Sequence, residues 1–313
     1  MGGRSVPPDD PPLRRVLQSI LEAPMGYLPS HIQQALRVAL PNALTLGNAA
    51  CGFTAIVLAS KSEPGDTEAI RYLAMAGWFV LAAMIFDLLD GLVARLVNGT
   101  SEFGCQLDSL CDAISFGVAP GFLLYAQAKQ WSVTAGQWAS LVAVLYVLCA
   151  VVRLARFNVA PTDPVEKKPG SLAHHFTGLP SPVAAGCVAC FAWIGQVDLL
   201  GRLSEWGGFP EVQPWMLPGC LLAALLMVSP FPYPHLAKDL LRKGSRQRLV
   251  LPLLVFLGLA IFSIPVALAV VFWAYCLQAP SRALFLGLKR ALRVPKLNRD
   301  DVGEGRSPWR RDR

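Results

Sequence analysis

Stretches of close to twenty apolar residues recur along almost the whole of this chain. They run from about Ala43 to Ser60, Tyr72 to Val97, Leu107 to Ala128, Ala135 to Leu154, Pro180 to Leu200 and Pro214 to Pro230, and end with a longer one from Leu249 to Leu277. A helix of about 20 residues crosses the ~30 Å hydrocarbon core of a bilayer. Repeated runs of that length argue for a polytopic membrane protein rather than one water-soluble core. Composition agrees: of 313 residues 54% are hydrophobic and 16% charged, with mean hydropathy +0.45, where soluble domains carry about 25% charge. The expected fold is therefore all-α, a polytopic transmembrane helix bundle.

Basic residues orient it. Lys and Arg gather before residue 43, after the fourth run (Arg153, Arg156, Lys167, Lys168), after the sixth (Lys238, Arg242, Lys243, Arg246, Arg248), and in the tail from Arg282 onward. Loops on the opposite side carry only Lys61 and Arg71, then Lys129, then Arg202. By the positive-inside rule both termini face the cytoplasm, so the number of crossings is even. The last run then splits near Ser263-Ile264-Pro265, which gives about eight helices: a six-helix core plus two C-terminal helices. The expected division is 1–40 as a juxtamembrane amphipathic segment, 41–232 as the membrane core, 233–280 as C-terminal transmembrane helices and 281–313 as a basic cytoplasmic tail. The net charge of +7 suits a tail beside anionic headgroups and calls for no nucleic-acid partner. Most of the eight cysteines lie inside apolar runs, where thiols act as small hydrophobes. The Cys187-x-x-Cys190 pair has no second such pair and is read as packing.

Against this apolar background the stretch DLLDGLVARLVNGTSEFGCQLDSLCD, from Asp87 to Asp112, stands out. Asp87 and Asp90 are three apart, and Asp108 and Asp112 four apart, so each pair shares a helix face. A short connection through Asn98-Gly99 makes the two helices antiparallel neighbours, and the four carboxylates converge near the cytoplasmic face. Bare carboxylates this close repel and are costly near lipid. An all-oxygen set suits Mg2+ or Mn2+, and a pair of such ions is a recurring device for phosphoryl chemistry. Gly91 and Ala94 leave the helix backbone open to a bulky ligand, and Arg95 can serve a phosphate. Intramembrane acids also mark ion pathways, so an ion or proton transporter is the alternative from another class.

The pattern D-x2-D-G-x2-A-R-x8-G-x3-D-x3-D, filled by Asp87, Asp90, Gly91, Ala94, Arg95, Gly104, Asp108 and Asp112, resembles the signature of the CDP-alcohol phosphatidyltransferases at every position. The resemblance implies an integral membrane transferase of phospholipid biosynthesis, dependent on Mg2+ or Mn2+, that moves a phosphatidyl group from a CDP-linked lipid to an alcohol and releases CMP. It implies that the four aspartates hold metal, two ions by that likeness, and that Asp112 also acts as the base. PNALTLGN (Pro41 to Asn48), RLARFN (Arg153 to Asn158) and FTGLPSP (Phe176 to Pro182) resemble the phosphatidylserine synthase branch. On that likeness Asn42 and Thr45 face the nucleotide diphosphate, with Gly91, Ala94, Arg95 and Gly104 around the CDP-lipid. Arg153 and Arg156 recognise an anion, either the serine carboxylate or a phosphate. The implied partners are CDP-diacylglycerol, L-serine, membrane lipids and a second copy in a homodimer, in a bacterial-type cytoplasmic membrane. Asn42 and Thr45 have a second reading as caps of the first helix. The aspartate pattern leaves glycerol 3-phosphate, inositol, inositol phosphate and choline open as acceptors.

Overall fold

The computed structural model describes residues 29–97, 101–159, 178–194, 213–233 and 263–292. The rest, including residues 1–28 of the N-terminal segment, the Asn98-Gly99 connection, residues 160–177, 195–212 and 234–262, and the tail beyond 292, lie outside the described residues. Those described form seven helices and no strand. They are α1 (Ser30–Ser60), α2 (Ala69–Leu96), α3 (Glu102–Lys129), α4 (Val133–Val159), α5 (Ser181–Ile194), α6 (Gln213–Val228) and α7 (Ile264–Leu292). Five of them, α1 to α4 and α7, are long and apolar enough to cross a membrane. At about 1.5 Å per residue, the 27 residues of α4 exceed the hydrocarbon thickness, while the 14 of α5 fall short of it within the described residues.

Helix α1 differs from expectation. Its apolar run opens near Ala43, yet the helix begins at Ser30 and passes through Pro41. Residues 30–40 hold good helix formers and no glycine. Pro41 has the φ a helix needs and deletes one N–H donor, which the helix tolerates. Asn42 and Thr45 are therefore mid-helix, and the capping reading falls: the N-cap is Pro29. Helix α7 starts at Ile264, with Pro265 in its first turn, where a missing N–H costs nothing; residues 234–262 before it lie outside the described ones. It continues to Leu292, past the expected boundary at 280.

Helix α3 is α-helical to Asp112, π-helical over Ala113–Val118, and α-helical again to Lys129. Part of the cause is legible: in an α-helix the Phe116 carbonyl would accept from residue 120, which is proline. The Tyr146 hydroxyl of α4 donates to that carbonyl instead, at 3.2 Å.

The helices pack through small residues, as membrane helices do. Ala55, Ala59, Ala74, Ala76, Ala83, Ala119 and Ala185 are all buried between α1, α2, α3 and α5. A second core joins α3, α4, α5, α6 and α7 around Tyr146, Val188, Met216 and Met227. Trp138, Leu141, Val144 and Leu148 of α4 point outward and exposed, which suits lipid rather than water. Two contacts fix which ends lie together. Lys129 reaches Glu63 at 3.0 Å, and Gln130 donates to the Ser62 carbonyl at 3.0 Å. The α3–α4 turn thus sits beside the α1–α2 connection, and the aspartates lie at the opposite end of the bundle.

Candidate active site

On α1 the buried positions are Pro41, Thr45, Asn48, Gly52, Ala55 and Ala59. The alternating spacing of four and three makes one inward stripe. Its lower half is apolar packing, and its upper half puts Thr45 and Asn48 against the acids. Thr45 Oγ1 lies 3.0 Å from the Pro41 carbonyl and also reaches the Asp90 carboxylate.

Asp87, Asp90 and Asp108 each offer an oxygen within 4.8 Å of the others. Three charges at that distance repel by roughly 3.5 kcal/mol per pair at an effective dielectric of about 20. Among the described residues nothing offsets this at two of the atoms: Asp90 Oδ2 and Asp108 Oδ1 are buried with no hydrogen-bond partner there. Orphaned anionic oxygens facing one another fit a divalent cation, which supplies positive charge and takes oxygen ligands. The three residues could hold such an ion. Asp112 is not part of that trio, although it feels the charges of Asp87 and Asp108. Asn48 Nδ2 donates to its Oδ1 at 3.0 Å.

The other expected residues divide. A Cβ at Gly91 would meet nothing within 4 Å, so the α2 backbone beside Asp90 is open, as expected. Ala94 is half-buried on the next turn. Arg95 is exposed and donates from Nε to the Gly91 carbonyl at 2.7 Å. Gly104 and Asn42 come together: a Cβ on Gly104 would stand 3.0 Å from Asn42 Oδ1. Arg153 is half-buried, donates to Ser181 Oγ at 2.6 Å, and lies in the field of Asp112 and Asp87. Arg156 is exposed and points elsewhere, with Nη1 3.4 Å from the Val228 carbonyl.

The family model of the CDP-alcohol phosphatidyltransferases matches residues 38–227. The chain belongs to that family. It is 33% identical over 252 residues to the CDP-diacylglycerol–serine O-phosphatidyltransferase of Helicobacter pylori, covering 80% of this chain and 92% of that one. To the Saccharomyces cerevisiae protein of the same name it is 33% identical, over 58% of this chain and 64% of that one. To the archaetidylserine synthase of Methanothermobacter thermautotrophicus it is 39% identical, over 50% and 59%. The matched region of this family member takes in α1 from Val38 onward and every acid described above. It is an integral membrane protein with a transferase domain.

Three residues that lie in the quoted motifs but have no role by sequence also reach the site: Asn48, Ser181 and Asn158. Asn48 closes the PNALTLGN stretch, and its spacing of three from Thr45 marks the shared face. Ser181 opens α5, and Asn158 Oδ1 lies 3.0 Å from Ser109 Oγ on the aspartate helix. Only the folded contacts mark these two. The described cysteines are free thiols, six of them buried, and none belongs to a metal-ligating group among the described residues.

Proposed function

We propose that the protein moves the phosphatidyl group of CDP-diacylglycerol to the hydroxyl of L-serine, forming phosphatidylserine and CMP. The convergence of Asp87, Asp90 and Asp108 with two orphaned oxygens carries the chemistry. The acceptor rests on the relatives, whose names share serine although their lipids differ. Bound at the three carboxylates, Mg2+ or Mn2+, as one ion or two, would offset diphosphate charge and stabilise departing CMP.

The chain's own groups do the rest. Asn42, Thr45 and Gly104 line the α1–α3 side where the nucleotide diphosphate lies, and the bare backbone at Gly91 and Ala94 lets it approach. Arg95 is within a side chain's reach of a phosphate once it leaves the Gly91 carbonyl. Arg153 takes the serine carboxylate, with Arg156 at the cytoplasmic rim. Asp112 accepts the hydroxyl proton as the serine oxygen attacks phosphorus. The new O–P bond forms, the diphosphate bond breaks, and the bridging oxygen leaves with CMP.

The acyl chains lie in lipid, and the site end of the bundle and both termini face the cytoplasm, in line with the Lys/Arg distribution. The working unit is a homodimer, and residues 41–232 form its catalytic core. The test is CMP release by purified protein from CDP-diacylglycerol with Mn2+ or Mg2+, adding L-serine, glycerol 3-phosphate, inositol or choline singly. Release with serine alone is expected. Release with another acceptor keeps the aspartate chemistry and removes the serine assignment. No release from folded protein sinks the transferase reading.

A further inference from the structure

Asn48 meets the aspartate helix twice. Its side chain donates to Asp112 Oδ1 at 3.0 Å. Its backbone carbonyl accepts from Ser115 Oγ at 2.9 Å, one turn further along α3. The close approach has a cause in the next turn of α1: a Cβ on Gly52 would collide with Ser115. Asn48 thus grips α3 on both sides of the point where it changes from α to π geometry, immediately after Asp112.

The side chain is fully buried, and its Oδ1 has no hydrogen-bond partner among the described residues. An amide kept for packing or stability alone would satisfy both ends, since an unpaired buried acceptor is costly. This one is committed to a single bond. Its orientation follows from chemistry: an ionised carboxylate only accepts, so the amide atom facing it is nitrogen. With Oδ1 of Asp112 engaged by the amide, Oδ2 is the freer oxygen to take a proton.

We propose that Asn48 is a positioning residue for Asp112: it holds one carboxylate oxygen so that the other meets the acceptor hydroxyl. This rests on the reading of Asp112 as the base. Proton transfer depends on alignment as well as reach, so the effect falls on turnover more than on binding.

The experiment compares Asn48→Leu, which keeps the volume and removes the donor, and Asn48→Asp, which replaces the donor with a like charge, against Ser115→Ala. The last deletes the neighbouring buried bond without touching Asp112. Steady-state CMP release is measured with whichever acceptor wild-type protein uses, and Mn2+ affinity is measured by electron paramagnetic resonance without substrates. Both Asn48 variants should lose at least tenfold in kcat, Asn48→Asp the more. KM for both substrates and Mn2+ affinity in Asn48→Leu should stay within about threefold of wild type. Ser115→Ala should lower the thermal midpoint and keep kcat within about twofold. The proposal fails if Asn48→Leu keeps its kcat, if its KM and Mn2+ affinity collapse together with kcat, or if Ser115→Ala reproduces the loss. A silent wild-type protein would instead remove the functional reading itself.

Discussion

Arg153 of α4 donates to Ser181, the first residue of α5, at 2.6 Å. The bond joins two stretches, RLARFN and GLPSP, that are separated in sequence by residues 160–177. It also holds a half-buried guanidinium beside the acids instead of letting it extend into water. A single bond from Nη1 leaves the other guanidinium donors for a carboxylate ligand.

Arg153→Lys should therefore raise KM for serine by about 10- to 100-fold, the equivalent of roughly 1.5–3 kcal/mol for a hydrogen bond to a charged group. KM for CDP-diacylglycerol should change little. Ser181→Ala should give a smaller rise in the same direction. Titrating serine at fixed lipid nucleotide measures both, and an equal rise in the two KM values would remove Arg153 from acceptor binding.

The acid trio predicts a change of sign. In metal-free buffer the repulsion among Asp87, Asp90 and Asp108 opposes folding, so Asp108→Asn should raise the thermal midpoint. A domain of this size gains about 2–4 °C per kcal/mol relieved. With saturating Mn2+ the order should reverse, because wild type gains binding energy that the variant lacks. Thermal unfolding with EDTA and with Mn2+ tests this, and a variant less stable in both would argue that the carboxylates are structural.

Gly91 separates folding from function. Nothing lies where its Cβ would go, and alanine is the better helix former by about 0.8–1.0 kcal/mol. Gly91→Ala should match or exceed wild-type stability, while Gly91→Leu should raise KM for CDP-diacylglycerol at least tenfold with the fold intact. Unchanged kinetics in Gly91→Leu would show that no ligand approaches there.

Gly178 is the opposite case. Its φ is +101°, a conformation costing other residues about 1–3 kcal/mol, and a Cβ there would run into the Met227 carbonyl. Its N–H donates to the Phe231 carbonyl at 2.9 Å, and Leu179 N–H to the Leu226 carbonyl at 2.9 Å, tying the start of α5 to the end of α6. Gly178→Ala should lower the thermal midpoint by several degrees and weaken activity through misplaced Ser181. Thermal unfolding with parallel kinetics would check it; full stability would mean that the turn relaxes freely.

Much of this protein follows from its sequence for a simple physical reason. Hydrocarbon accepts only segments that satisfy their own backbone, so length and apolarity fix helices wherever they recur. Spacings of three and four fix which acids share a face, since that periodicity belongs to the helix itself. Those two rules suffice for the five long apolar helices and for the meeting of Asp87, Asp90 and Asp108.

What they leave undecided concerns contacts between helices. Pro41 marks a helix end by local rules, yet α1 runs through it, because preceding residues favour helix and one lost bond is tolerable. Arg153 and Arg156 look alike in sequence, three apart, but only the tertiary structure sends one to Ser181 beside the acids and the other to the Val228 carbonyl. The four aspartates look equivalent along the chain. Packing of α1 on α3, made possible by Gly52 beneath Ser115, is what gives Asp112 to Asn48. Side-chain partners across helices depend on axial rotation and approach distance, and neither is set by the periodicity of one helix alone.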